Sequence, residues 1–229
     1  ECSNLPSLDL SATSLQFLGQ LSFSYCYHMK SAALPATLVS MESNVFTGCT
    51  ALADITVADG NPELESVDGL IYLDGDELLM HVPAHSQVDV VIRDGTKRIH
   101  FAAFKYNLYM ESVVIPDSVT TMERQAFLGC SRLESVTLGK GLDAIYQSVF
   151  EECSLTSVEI PDNIKTLYHN AFVNCMYLEN VSLPDDITFD AGENAQSVFK
   201  YDEKINITYK GNTYTYDQLS DLDIAINSN

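Results

Sequence analysis

The chain has no tryptophan, few basic residues and no long apolar run, and these absences narrow its function. Its 229 residues include 12 Lys and Arg against 32 Asp and Glu, which gives a formal net charge of −20. A chain this acidic repels nucleic-acid phosphates and anionic lipids. No apolar stretch approaches the roughly 18 residues that a membrane-spanning helix needs. We therefore expect neither nucleic-acid binding nor membrane insertion.

The sequence also lacks the short motifs that carry common chemistry. It contains no Gly-x-Ser-x-Gly elbow, no glycine-rich phosphate loop and no Cys-x-x-Cys pair. Metal-ligand spacing does not recur among its five histidines, which are His28, His81, His85, His100 and His169. We therefore predict no catalytic residue, no metal site and no cofactor, and we expect a protein that is not an enzyme.

What the chain does have is a repeat of about 23 residues. Its clearest mark is a phenylalanine at positions 23, 46, 104, 127, 150, 172 and 199. Three residues later stands one small or polar side chain per repeat: Cys26, Cys49, Asn107, Cys130, Cys153, Cys175 and Asp202. Cys2 fits the same column one repeat earlier, so the chain begins inside a repeat.

Each repeat contains a short alternation of apolar and polar residues followed by a turn. Val113-x-Ile115 precedes Pro116-Asp117, and Val136-x-Leu138 precedes Gly139. Alternation with a period of two predicts a strand, and the proline or glycine ends it. The unit from Asn107 to Phe127 predicts these inward side chains: Leu108, Met110, Val113, Ile115, Val119, Met122, Ala126 and Phe127.

Stacked units of this kind form a solenoid, because each repeat buries its apolar edge against its neighbours. The recurring pattern Leu-x-x-Val-x-Ile-Pro-Asp…Ala-Phe-x-x-Cys resembles the BspA-like class of leucine-rich repeats over roughly residues 2 to 200. The resemblance implies an α/β or mainly-β solenoid, a right-handed coil with one short strand per repeat and a parallel sheet on one face. We predict the array over residues 1–202 and a capping hairpin with a short helical segment over 203–229.

An insertion explains why the step from Phe46 to Phe104 is more than twice the ordinary spacing of the phenylalanines. Residues 60–83 match an interruption found in the same class. Two apolar stretches, Leu70–Leu73 and Leu78–Val82, flank Asp74-Gly75-Asp76-Glu77. We predict an inserted β-hairpin rather than a calcium loop, because the downstream bidentate glutamate of a calcium loop is missing.

The six cysteines allow two interpretations. In a secreted protein they would form disulfides. They all occupy one column, however, in which Asn107 and Asp202 also stand, and this favours a buried ladder of free thiols. Pairing between neighbouring coils stays open, since adjacent coils bring Cα atoms within disulfide range.

Candidate binding residues are the outward side chains between inward aliphatics on the predicted strands. This row is small and nearly uncharged, and it includes Thr56, Val114, Thr137, Glu159 and Ser182. Tyr146 and Tyr168 follow a second aliphatic column, and Tyr109 and Tyr177 follow the Cys column by two residues. Tyrosines favour recognition, although they also pack along coil edges.

The resemblance implies a secreted or cell-surface protein linked to adhesion. We expect an extracellular recognition module that binds a host or bacterial surface protein or glycan through the strand face. The alternative is an architectural spacer within a larger surface protein. Because the chain does not begin with Met, we expect that a signal peptide has been removed. The sequence leaves oligomeric state open.

Overall fold

The computed structural model of the chain describes residues 4–228 and consists mainly of short strands. In chain order the first ten are β1 (Ser7–Asp9), β2 (Phe17–Leu18), β3 (Ser31–Leu34), β4 (Ser40–Met41), β5 (Asp54–Val57), β6 (Leu64–Val67), β7 (Leu70–Leu73), β8 (Glu77–His81), β9 (Asp89–Val91) and β10 (Arg98–Ile99). The others are β11 (Ser112–Val114), β12 (Thr121–Met122), β13 (Ser135–Thr137), β14 (Ala144–Ile145), β15 (Ser157–Glu159), β16 (Thr166–Leu167), β17 (Asn180–Ser182), β18 (Thr188–Phe189), β19 (Asn206–Tyr209) and β20 (Asn212–Thr215). Two helices, α1 (Ala195–Val198) and α2 (Leu219–Asn227), lie near the C-terminus.

The strands form two parallel ladders, which confirms the predicted solenoid. The first ladder contains the predicted strands in three blocks, β1-β3-β5, β9-β11-β13 and β15-β17-β19. A second ladder, whose strands have two residues each except for β8, consists of β2-β4, β8-β10-β12 and β14-β16-β18. Each ordinary repeat thus supplies two strands. The sequence predicted only the first, because a strand as short as β10 has no alternation to detect.

Burial follows the predicted pattern along most of the repeat from Asn107 to Phe127. Seven of its eight predicted inward hydrophobic side chains are at most 1% exposed, for example those of Met110 and Val113. Leu108 was wrongly predicted to point inward, since 40% of it is exposed. It follows the Asn107 turn directly, where the chain reverses and the alternation no longer applies.

The insertion is an antiparallel sheet of three strands. β7 pairs with β8 as predicted and also with β6, which the sequence did not reveal. Leu70 and Tyr72 pack into the core of the following coils, whereas Ile71, between them, packs into the core of the preceding coils. A strand that is buried on both faces has apolar residues at consecutive positions of its sequence. The insertion therefore separates two hydrophobic cores.

The C-terminal segment leaves the repeat pattern but continues the first ladder. β19 pairs in parallel with β17 and antiparallel with β20, through a turn at Lys210 and Gly211. Helix α2 buries Leu219, Leu222 and Ile226 against the same core. No helix in residues 4–228 combines the length and apolar character needed to cross a membrane.

The phenylalanines stack through the interior, one ring per coil. The rings of Phe104, Phe127, Phe150, Phe172 and Phe199 follow one another at centroid distances of 4.5 to 5.6 Å. Phe23 and Phe46 form a separate pair at 5.8 Å in the preceding coils. Phe46 and the rings of the longer stack are each at most 1% exposed, so each of these coils offers the next a flat apolar surface.

The predicted column of thiols lies beside this stack. Cys26, Cys49, Cys130, Cys153 and Cys175 are buried and free, while Cys2 lies outside the described residues. Cys130 donates a hydrogen bond of 3.2 Å to the carbonyl oxygen of Phe104 in the preceding coil, and Cys153 does the same to Phe127. Each of these two thiols therefore satisfies a buried carbonyl between coils, and no disulfide joins the five described cysteines.

The polar members of the column show what the position requires. Asn107 accepts hydrogen bonds from the backbone amides of Tyr109 and Met110 and donates one of 2.7 Å to His81 Nδ1. His81 stacks on Phe104 at 5.5 Å and so takes the place of the missing phenylalanine, one repeat earlier in the chain. Burial, with a smaller contribution from His85, lowers the pKa of His81 to about 3. The imidazole is therefore neutral.

Asp202 ends the column without the partners that Asn107 has. It is 1% exposed, and neither carboxylate oxygen has a hydrogen-bond partner among residues 4–228. Burial raises the pKa of Asp202 to about 8, and the backbone of Cys175 offsets only part of this effect. The carboxyl group is therefore largely protonated at neutral pH.

Candidate recognition surface

The predicted strand-face residues lie side by side across the first ladder. Register pairs Ala33 with Thr56 in the first block, and Val114 with both Val91 and Thr137 in the second. In the third block Glu159 pairs with Ser182. Paired residues of a parallel ladder stand about 4.8 Å apart, so each block presents a continuous row of side chains.

The row is exposed and partly apolar. Val91 is 62% exposed and its ladder neighbour Val114 is 38% exposed. Thr56, Thr137, Glu159 and Ser182 are also exposed. These two neighbouring valines place exposed apolar surface within the row. The sequence pointed to Val114 but not to Val91, whose position one repeat before Val114 was the available signal.

The four predicted tyrosines divide between two places. Tyr109, 39% exposed, lies just before β11, and Tyr177, 61% exposed, lies just before β17. An open cleft beside Tyr177 is lined by Arg132, Glu134 and Thr156. Because these residues precede β13 and β15, Tyr177 stands at the margin of the strand face.

Tyr146 and Tyr168 lie away from the strand face. They directly follow β14 and β16 in the second ladder, and their rings stack at 4.8 Å. Both are half-buried, and burial raises the pKa of Tyr146. The structure thus separates these two tyrosines from the strand face.

A cleft lies where the first ladder is interrupted. It has a volume of about 540 Å³ and runs between β5 and the inserted β6, with His85 at one end. Its rim carries carboxylates on both sides, and Thr56 of the predicted row is part of its wall. Sequence reasoning missed this cleft because it depends on how the insertion packs against β5.

The described residues show no centre for metal chemistry. No three His, Cys, Asp or Glu side chains in residues 4–228 converge as metal ligands. Burial raises the pKa of Cys49 to about 11 and holds those of Cys153 and Cys175 well above their ordinary value. These thiols are therefore protonated and unreactive near neutral pH.

Comparison with known proteins identifies the family. The profile of the BspA type leucine-rich repeat region matches residues 1–67 and 97–218 in six copies. The chain belongs to the BspA-type leucine-rich repeat family. The unmatched residues between the two ranges contain most of the insertion, and the match indicates no catalytic family. A search of curated proteins found no match.

Solved structures support the same fold. A leucine-rich cell surface protein from Faecalibacterium prausnitzii has a TM-score of 0.77 and 26% identity, over 92% of this chain and 61% of that one. The pneumococcal vaccine antigen PcpA has a TM-score of 0.73 and 20% identity, over 87% of this chain and 50% of that one. A leucine-rich repeat protein from Bacteroides ovatus has a TM-score of 0.55 and 18% identity, over 85% and 59%. This BspA-type chain thus spans about half to three-fifths of each of these structures.

Proposed function

We propose that this BspA-type chain is a non-enzymatic recognition module of an extracellular or cell-surface protein, which binds a protein or glycan through its strand face. The observation that carries the proposal is the exposed row across the first ladder. Val91, Val114 and Thr137 stand in register on three neighbouring strands, and each is exposed.

The row suits a partner that lies across several coils. Outward side chains on consecutive strands lie about 4.8 Å apart, so a partner contacts many of them at once without reordering the backbone. The phenylalanine stack and the hydrogen bonds of the thiol column join the coils beneath this face. The likeness to a structure described as a cell surface protein supports the proposed location.

A binding panel tests the proposal. Purified protein is titrated against immobilised extracellular-matrix proteins, cell-surface proteins and glycans, and saturable binding to at least one member is expected. The double variant Thr137→Arg, Glu159→Arg should lose that binding, because two long cations replace small or acidic side chains on the face. Glu203→Arg combined with Ser220→Arg makes the same change in charge at two exposed positions away from the strand face, and this matched control should keep the binding.

Two outcomes would contradict the proposal. Equal loss in the control variant would place the partner on another surface or indicate general damage to the fold. If no member of the panel binds the protein, the alternative function, an architectural spacer, is favoured over recognition.

A further inference from the structure

We infer that the cleft between β5 and β6 binds an extended, positively charged segment of a partner polypeptide. This inference rests on the proposed recognition function and names the class of partner. It concerns a second part of the surface, at the break in the first ladder, to which only Thr56 of the exposed row belongs.

The cleft exists because two strands meet without pairing. β5 is the last strand of its block, and β6 belongs to the inserted sheet. No backbone ladder joins them within residues 4–228, and Ser66 Oγ instead donates a hydrogen bond of 2.7 Å to the carbonyl oxygen of Ile55. Because a side-chain hydrogen bond stands in place of backbone pairing, a gap separates the two strands. Its volume of about 540 Å³ lies within the usual size of ligand sites.

Two residues that line the cleft, Gly69 and His85, are packed closely together. The His85 ring lies so close to Gly69 that a Cβ on this glycine would meet the imidazole Cγ at 2.5 Å. Gly69 has a φ of +77°, which favours glycine. His85 also packs edge-on against the buried His81 at 5.9 Å. This lining residue is therefore in contact with the same His81 that continues the phenylalanine stack.

The charges of the cleft are all of one sign. Four carboxylates line it, from Asp54, Asp59, Glu65 and Asp68, and no Lys or Arg does. Arg93 neutralises Glu65 at 2.6 Å while its guanidinium lies 3.8 Å from the centroid of the Tyr72 ring. The three aspartates form no ion pair within the described part of the chain. They are exposed on the two sides of a groove, an arrangement that complements several cations at once.

These carboxylates do not converge on one point, which favours a polypeptide over a metal ion. A calcium ion needs six or more oxygens within about 2.6 Å. No three acidic, histidine or cysteine side chains in residues 4–228 converge in that way. Carboxylates that line a gap between two strands without converging instead suit the separate lysine or arginine side chains of an extended peptide.

The probe is an eight-residue peptide of alternating arginine and alanine, labelled with a fluorophore and titrated by anisotropy at low ionic strength. Peptides with glutamine or glutamate in place of arginine serve as ligand controls. The whole chain should bind the arginine peptide saturably, and salt should weaken this binding. Asp54→Asn combined with Asp68→Asn should raise the Kd by about tenfold, because two of the unpaired carboxylates are neutralised.

A control variant with the same change in net charge tests whether the weaker binding is specific to the cleft. Asp143→Asn combined with Glu203→Gln removes the same charge from exposed positions outside the cleft, and the Kd should change by less than about twofold. Equal weakening in both double variants, binding of the glutamine peptide, or displacement of the arginine peptide by an equal concentration of calcium chloride would overturn the inference. So would absence of binding by the wild-type chain. If the surface panel still shows binding in that case, the proposed function stands and only the cleft assignment fails.

Discussion

Replacing Asp202 by asparagine should stabilise the protein at neutral pH, and the structure gives the size of the effect. The folded chain holds this carboxyl group protonated, with a pKa of about 8 against an ordinary value of 3.8. Above about pH 4 the unfolded chain releases this proton while the folded chain retains it, so stability falls as the pH rises towards 8 and then levels off. At pH 7 the cost is at most about 4 kcal/mol, since each pKa unit corresponds to about 1.4 kcal/mol.

The assay is urea unfolding of the wild type and Asp202→Asn between about pH 4.5 and pH 8.5, which brackets the titration. The wild type should lose stability across this range relative to the variant, and the two should converge at the acidic end. Hydrogen exchange in β19 reports the C-terminal coil separately, because repeat arrays open locally from their ends. Glu203→Gln, at the exposed neighbouring position, is the control and should leave the slope unchanged. Parallel profiles for the wild type and Asp202→Asn would refute the reasoning.

Two further predictions concern the coils themselves. The five described thiols should react slowly with a thiol reagent at pH 8 and completely after denaturation, since burial raises the pKa values of Cys49, Cys153 and Cys175; rapid labelling of native Cys153 would contradict the ladder. Gly129→Ala should lower the free energy of unfolding by about 1–3 kcal/mol more than Gly192→Ala. Both glycines have positive φ, but only at Gly129 would the new Cβ meet a neighbour, the Tyr106 ring at 2.4 Å. Equal costs in chemical denaturation would show that this contact relaxes freely.

The repeat could be predicted from the sequence because the same packing recurs along the array. A ring such as Phe127 stacks on the ring of the next coil, and a thiol such as Cys130 donates a hydrogen bond to a buried carbonyl of the preceding coil. His81 escaped detection, since it fills the ring position with a different residue type inside the insertion. Phe104 is the next ring in the stack. Counting one ordinary repeat back along the chain from Phe104 leads to His81.

Features that depend on contacts between unlike elements could not be predicted. β6 contains Glu65 and Ser66, so it lacked the apolar run that marked β7 and β8. The stacking of Tyr146 on Tyr168 depends on how two coils meet, and residue type alone did not distinguish it from exposure. The cleft has the same origin, because its two walls come from the array and from the insertion. The boundary drawn at residue 202 stays a prediction.

The most direct test of the strand face as the recognition surface is carboxylate footprinting with the ligand that the binding panel identifies. Exposed Asp and Glu side chains are labelled with a carbodiimide and an amine, with and without the bound partner, and each site is quantified by mass spectrometry. Labelling should fall at Glu159, on the exposed row, and stay unchanged at Asp143 and Glu203. Protection of Asp143 or Glu203 with full labelling of Glu159 would contradict the proposal and place the partner on another surface.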